Sequence, residues 1–213
     1  RLKQRYPDVP LCIMGHSMGS FLTRTYLIRY PGTVKAAVIM GTGWQPRAAI
    51  TGGLALANAI AAVSGENATS ELVTELAFGS YNKLFAPNRT KVDWLSADES
   101  NVDDYIADPL CGADATVGLF RQMLHGIRFN QRQSHLRQMD REMPVLFVAG
   151  DKDPVGSCGK GVRQTYDAFR AAGMRDCTLK LYPGLRHEIL NEKAYTADIT
   201  KDIEAWLLSR LEK

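Results

Sequence analysis

Residues 11–30 read "LCIMGHSMGSFLTRTYLIRY": a short apolar run, a serine held between glycines at 15 and 19, then a stretch with apolar residues at helical spacing. A strand that turns sharply into a helix leaves its turn residue at the carboxyl end of a sheet, where open α/β folds bind ligands. If that residue, Ser17, is a nucleophile, its backbone is strained. Residues two positions to either side then pack close, and side chains there would clash. Gly15 and Gly19 meet that demand. The helix that follows aims its positive end and free N–H groups at the hydroxyl, which suits a developing oxyanion, with the Met18 N–H as the natural donor. A plain turn in which Ser17 caps the helix would also place a serine here. The strand before and the helix after favour the nucleophile.

Working outward, residues 34–40 (VKAAVIM), 145–149 (VLFVA) and 178–182 (TLKLY) resemble 11–14 in being short, apolar and bounded by Pro, Gly or Asp, so each reads as a strand. The helix after Ser17 is expected to place Met18, Phe21, Leu22 and Tyr26 on one face and to stop at Pro31-Gly32. Helical spacing recurs over 161–172 and at Ile199, Ile203, Trp206, Leu207 and Leu211. Alternating strands and helices, with strands apolar on both faces, predict an α/β fold whose mostly parallel sheet is flanked by helices. Residues 44–142 break that rhythm with helix-like pieces at 54–63 and 117–129 and no convincing strand. The chain therefore divides into a core portion 1–43, a helical insertion 44–142 and a second core portion 143–213.

A serine hydroxyl is a weak nucleophile until a base takes its proton, and the base needs a third group to orient it. The loop after strand 145–149 carries Asp151 and Asp153, and the loop after strand 178–182 carries His187, in the order Ser, acid, His expected on such a sheet. The other histidines have weaker claims. His16 precedes the nucleophile and points away from the reacting carbonyl, in a supporting role. His125 and His135 have no second ligand at metal spacing, so no metal site is expected. "DKDPVGSCGKG" fails as a calcium loop because Val162 stands where Glu is needed, and as a phosphate loop because Gly follows Lys160.

The segments GHSMG (15–19), GDKDPV (150–155) and LRHE (185–188) together resemble the three signatures of the α/β-hydrolase superfamily. Their order and wording are most similar to the serine aminopeptidase-like branch that includes monoacylglycerol lipases and lysophospholipases. The resemblance runs from Pro10 onward and is weaker in the insertion, where "DYIADPLCG" resembles bacterial members. It implies a helical lid for 44–142, a cofactor-free Ser17–His187–Asp153 triad, since the acid of that branch precedes Pro-Val, and a small ester substrate of the monoacylglycerol or lysophospholipid kind. Lid contact with a lipid surface would follow. The family's sheet begins upstream of the nucleophile, and its second oxyanion donor lies there. The resemblance therefore implies a larger hydrolase whose upstream segment is this chain's partner, and the apolar strand 11–14 would otherwise be an exposed edge. Two rivals use the same fold. A peptidase would hold a substrate ammonium with carboxylates such as Glu71, Glu75 or Asp98, and a binding protein would use no chemistry at all.

Composition bounds the rest. The 213 residues carry a net charge of +3 with 45% hydrophobic residues, and the basic residues are scattered, so no nucleic-acid partner is expected. No apolar run nears the roughly 20 residues of a membrane span, 52–63 being too short, and no secretory signal is seen. That apolar stretch is left as either an acyl-chain channel or the insertion's own core. Four widely separated cysteines without a CxxC pair fit a reducing, cytoplasmic setting.

Overall fold

The computed structural model describes residues 1–211. After a short helix α1 (Leu2–Arg5), strands β1 (Cys12–His16), β2 (Ala36–Met40), β3 (Val145–Gly150) and β4 (Cys177–Tyr182) form one parallel sheet in that spatial order. Helix α2 (Met18–Arg29) joins β1 to β2. Between β2 and β3 lie α3 (Arg47–Ser64), α4 (Glu71–Lys83), a 3-10 turn (Asp93–Leu95), α5 (Glu99–Ala107), α6 (Val117–Asn130) and α7 (Gln133–Leu136). Helix α8 (Lys160–Ala171) joins β3 to β4, and α9 (Thr196–Leu211) closes the chain.

The two-residue period of the strands sorts their side chains onto two faces. Ala37, Ile39, Val145, Phe147 and Ala149 meet Leu27 and Ile28 of α2 and Phe169 of α8 on one side. Ala36, Val38, Met40, Leu146 and Val148 meet Ile199, Ile203 and Trp206 of α9 on the other. The central strands β2 and β3 are buried at every position, which explains their unbroken apolar runs. β1 is an edge among the described residues, and its Met14 is 54% exposed. Pairing of His16 with Met40 and of Gly150 with Tyr182 aligns the carboxyl ends, so the residues that follow leave the sheet side by side.

Helix α2 corrects the expected packing face. Met18 and Leu22 are exposed, while Ser20, Phe21, Thr23, Arg24, Leu27 and Ile28 are buried. Small side chains face β1, so the helix lies close to the sheet and its apolar stripe is rotated off it. Arg24 is fully buried with no carboxylate partner. It donates to Thr42 Oγ1 and to the Gly43 and Asn130 carbonyls, and burial pulls its pKa down to about 9.

Residues 44–142 contain no strand among the described residues, apart from an isolated bridge between Thr69 and Thr116. Helix α3 packs on α6 through Ile50, Leu54 and Ile127, with Phe21 of α2 beneath them. Ala57 is buried as well, whereas Val63 is 88% exposed, so residues 54–63 form part of a helix–helix core at one end only. The helix is longer than the 52–63 run. At 18 residues it is the one described helix long and apolar enough, by length and composition alone, to cross a membrane. The end of the segment is built into the main core, where Leu136 and Met139 join Leu27 and Phe147.

Candidate active site

Ser17 stands where β1 breaks into α2. Its backbone has φ 54° and ψ −120°, a left-handed conformation that an L-residue holds only when its surroundings over-determine it. The Ser17 N–H donates to the Met40 carbonyl at 3.1 Å, and its own carbonyl accepts from the Ser20 N–H and Ser20 Oγ. The turn is thus fixed from both sides, and the serine side chain is left half-exposed at the sheet's carboxyl edge.

The two flanking glycines are not equivalent. A Cβ on Gly15 would overlap the Gly19 carbonyl and Thr23 Oγ1. A Cβ on Gly19 would meet nothing within 4 Å among the described residues, which corrects the expectation that both glycines relieve a clash. What Gly15 makes room for is the Gly19 backbone. Gly15→Ala is expected to destabilise the protein by about 2 kcal/mol or more through overpacking. Gly19→Ala, on a half-exposed helical turn with room for a methyl group, should change stability by less than about 1 kcal/mol. Thermal unfolding of the two variants checks this contrast.

The loops after β3 and β4 are drawn together by another glycine: a Cβ on Gly150 would overlap the Leu185 and Arg186 carbonyls. Asp151 holds the turn before the histidine, its Oδ1 accepting from the Gly184 N–H at 2.8 Å. Asp153 points inward instead. Its Oδ1 accepts from the Val155 N–H at 2.9 Å and from His187 Nδ1–H at 3.0 Å. The pair is deeply buried, Asp153 at 0% and His187 at 2% exposure. The second carboxylate oxygen, Oδ2, has no partner among the described residues. With Nδ1 committed to the carboxylate, Nε2 is the ring nitrogen that can accept a proton.

His16 ties this loop to the end of β1, next to Ser17. Its Nε2–H donates to the His187 carbonyl at 3.1 Å, and the two rings lie 4.6 Å apart. The imidazole is thereby packed against the residue immediately before Ser17, although Ser17 Oγ is not hydrogen-bonded to it among the described residues. Burial first, and the neighbouring His187 second, hold the His16 pKa below the ordinary histidine value. The unfolded chain therefore takes up a proton at this position before the folded one does, and stability is lost as the pH falls below about 6.5. Urea midpoints at about pH 7.5 and about pH 5 should fall less in His16→Gln than in the parent protein.

The segment between β2 and β3 covers the histidine with groups the sequence did not single out. Trp94 lies 5.2 Å from the His187 ring, Tyr81 packs edge-on against Trp94, and Phe78 stacks on it and reaches Phe120. Burial, with a smaller contribution from the Asp153 charge, pushes the Tyr81 phenol up to about 12, so this wall stays neutral. The wall is fastened to the histidine loop. Arg186 donates to the Asp93 and Ser96 carbonyls, Glu188 N–H donates to the Leu95 carbonyl, and the Glu192 carboxylate accepts from the Ala97 and Asp98 N–H groups. The carboxylates weighed for a substrate ammonium are used elsewhere or face solvent. Asp98 caps α5, Glu75 pairs with Lys83 on the surface, and Glu71 is exposed.

A parallel sheet between helices, a strained serine on the strand-to-helix turn and a buried Asp–His pair at the same edge together define an α/β-hydrolase fold. The model of the serine aminopeptidase S33 family matches residues 1–194, and the chain belongs to that family. It is 31% identical over 97% of its length to the monoacylglycerol lipase of Mycolicibacterium smegmatis. It is 26% identical over 99% of its length to the monoglyceride lipase of Mus musculus. The chain spans 65% and 62% of those two curated relatives. Among solved structures, a thermostable carboxyl esterase from Bacillus coagulans in complex with glycerol superposes with a TM-score of 0.90 at 24% identity, covering 98% of this chain and 67% of that one. A monoacylglycerol lipase from Paleococcus ferrophilus superposes with a TM-score of 0.70 at 19% identity, covering 97% of this chain and 71% of that one. At these identities the likeness is one of fold.

Proposed function

We propose that the protein is a serine hydrolase of carboxylic esters, with Ser17 as nucleophile, His187 as general base and then acid, and Asp153 as the carboxylate that orients the imidazole. The observation that carries this reading is the buried hydrogen bond from His187 Nδ1–H to Asp153, in a loop that His16 holds against the serine strand. Ser17 Oγ attacks the ester carbonyl as His187 Nε2 takes its proton, and the imidazolium forms beside the Asp153 charge. The tetrahedral oxyanion faces the start of α2, where the Met18 N–H is a donor. Collapse expels the alcohol, which receives the proton from Nε2. The resulting acyl-enzyme is hydrolysed by a water that the same nitrogen activates.

Residues 44–142 act as a lid in this reading, and their aromatic wall of Phe78, Tyr81 and Trp94 offers an apolar surface to an acyl chain. The relatives named above support a monoacylglycerol as substrate, with a lysophospholipid of similar shape as its nearest variant. Hydrolysis of a monoacylglycerol and of a prolyl amide by the full-length protein, measured side by side, tests the assignment. Faster turnover of the acyl glycerol supports it, and preference for the amide would overturn it in favour of a peptidase.

A further inference from the structure

The strongest unassigned feature is a cationic cleft on the side of α2, α3 and α6. Two adjoining cavities of about 300 and 380 Å³ share Arg128 and Arg132 in their walls. Arg47 and Trp44 complete the first, and Arg29 and Phe129 border the second. No Asp or Glu lines either cavity. None of the four arginines enters an ion pair among the described residues. Four unneutralised charges therefore sit in one place in a chain whose net charge is only +3. The carbonyl end of α6 attracts a cation and accounts for Arg128 in its last turn. The carbonyl end of α2 accounts for Arg29 in the same way, but neither helix end accounts for Arg47 at the start of α3 or for Arg132 beyond α6. A fifth guanidinium lies behind the cleft, where buried Arg24 sits 6.0 Å from the Trp44 ring with no carboxylate to balance it.

Guanidinium groups recognise oxyanions through paired N–H donors, and a cluster of four favours a ligand carrying more than one negative charge. Clefts lined by one sign of charge also concentrate such ions. We propose that this cleft binds the phosphate group of a small, soluble phosphorylated molecule, held by Arg47, Arg128 and Arg132 with Trp44 along its side. The cavity volume suits a small metabolite and is at the lower end for ligand pockets. The site shares no residue with the hydrolytic machinery proposed above, so the two assignments stand or fall separately.

The test is calorimetric titration of the full-length protein with inorganic pyrophosphate and with glycerol phosphate, at an ionic strength held constant with sodium chloride. Saturable binding with a Kd below about 1 mM is expected, weakened at least ten-fold in Arg47→Gln and in Arg128→Gln/Arg132→Gln. Because these side chains are exposed, the variants should keep the parent's unfolding temperature and ester hydrolysis, which confirms that they are folded. Absence of saturable heat up to about 10 mM of either phosphate would overturn the proposal. So would affinity unchanged by the substitutions, or binding seen only with phosphatidic acid vesicles.

Discussion

Ser17→Ala is expected to lower kcat/KM for short p-nitrophenyl esters by about 10⁴-fold or more in the full-length protein, because nothing else at the sheet edge replaces the attacking hydroxyl. The fold should not suffer. Ser17 is held by backbone hydrogen bonds to Met40 and Ser20, and its hydroxyl supports none of them. A second substitution separates chemistry from strain. Ser17→Gly should be equally inactive yet more stable by about 1 kcal/mol, because glycine holds the φ of 54° found here without the cost a side chain adds. Unchanged hydrolysis in either variant would remove Ser17 from the mechanism. An unchanged melting temperature in the glycine variant would show that the turn stores no strain.

The second large effect concerns the acid. Asp153→Asn should reduce kcat by about 10³–10⁴-fold, because an amide in place of the carboxylate favours the imidazole tautomer with its proton on Nε2, where it cannot accept one from the serine. Asp151→Asn should cost less than about ten-fold, since an amide oxygen can still accept from the Gly184 N–H that Asp151 holds. The sequence leaves both carboxylates in one loop, and the geometry divides them: Asp153 faces a buried imidazole, and Asp151 braces a turn at the surface. Steady-state rates of the two variants decide the matter, and a greater loss at Asp151 would reverse the assignment.

Much of this was legible in the amino-acid order because it rests on local signals. The four strands follow from apolar runs bounded by turn residues, and each was found within two residues of its structural limits. The serine turn, the acid loop and the histidine loop stand at three strand ends, so they share one edge once the sheet is parallel. What was not legible depends on contacts distant in sequence. Nothing local to Arg24 marks it as buried, yet the carbonyls of Gly43 and Asn130 satisfy it in the interior. Helices α4 and α5 lie outside the expected helical pieces, and their caps, Ser70 and Asp98, are ordinary loop residues until a helix forms behind them. Nothing in "KVDWL" marks Trp94 as a neighbour of His187. Arg186 and Glu192, which fasten the Trp94 segment to the histidine loop, resemble any other surface charges until their partners are known.

The central claim is that Ser17 is activated by the buried His187–Asp153 pair, and covalent labelling tests it most directly. The full-length protein treated with a fluorophosphonate probe should carry the adduct on the peptide containing Ser17. Labelling should slow by orders of magnitude in His187→Ala. An adduct on another residue, or equally fast labelling of Ser17 without the imidazole, would contradict the account.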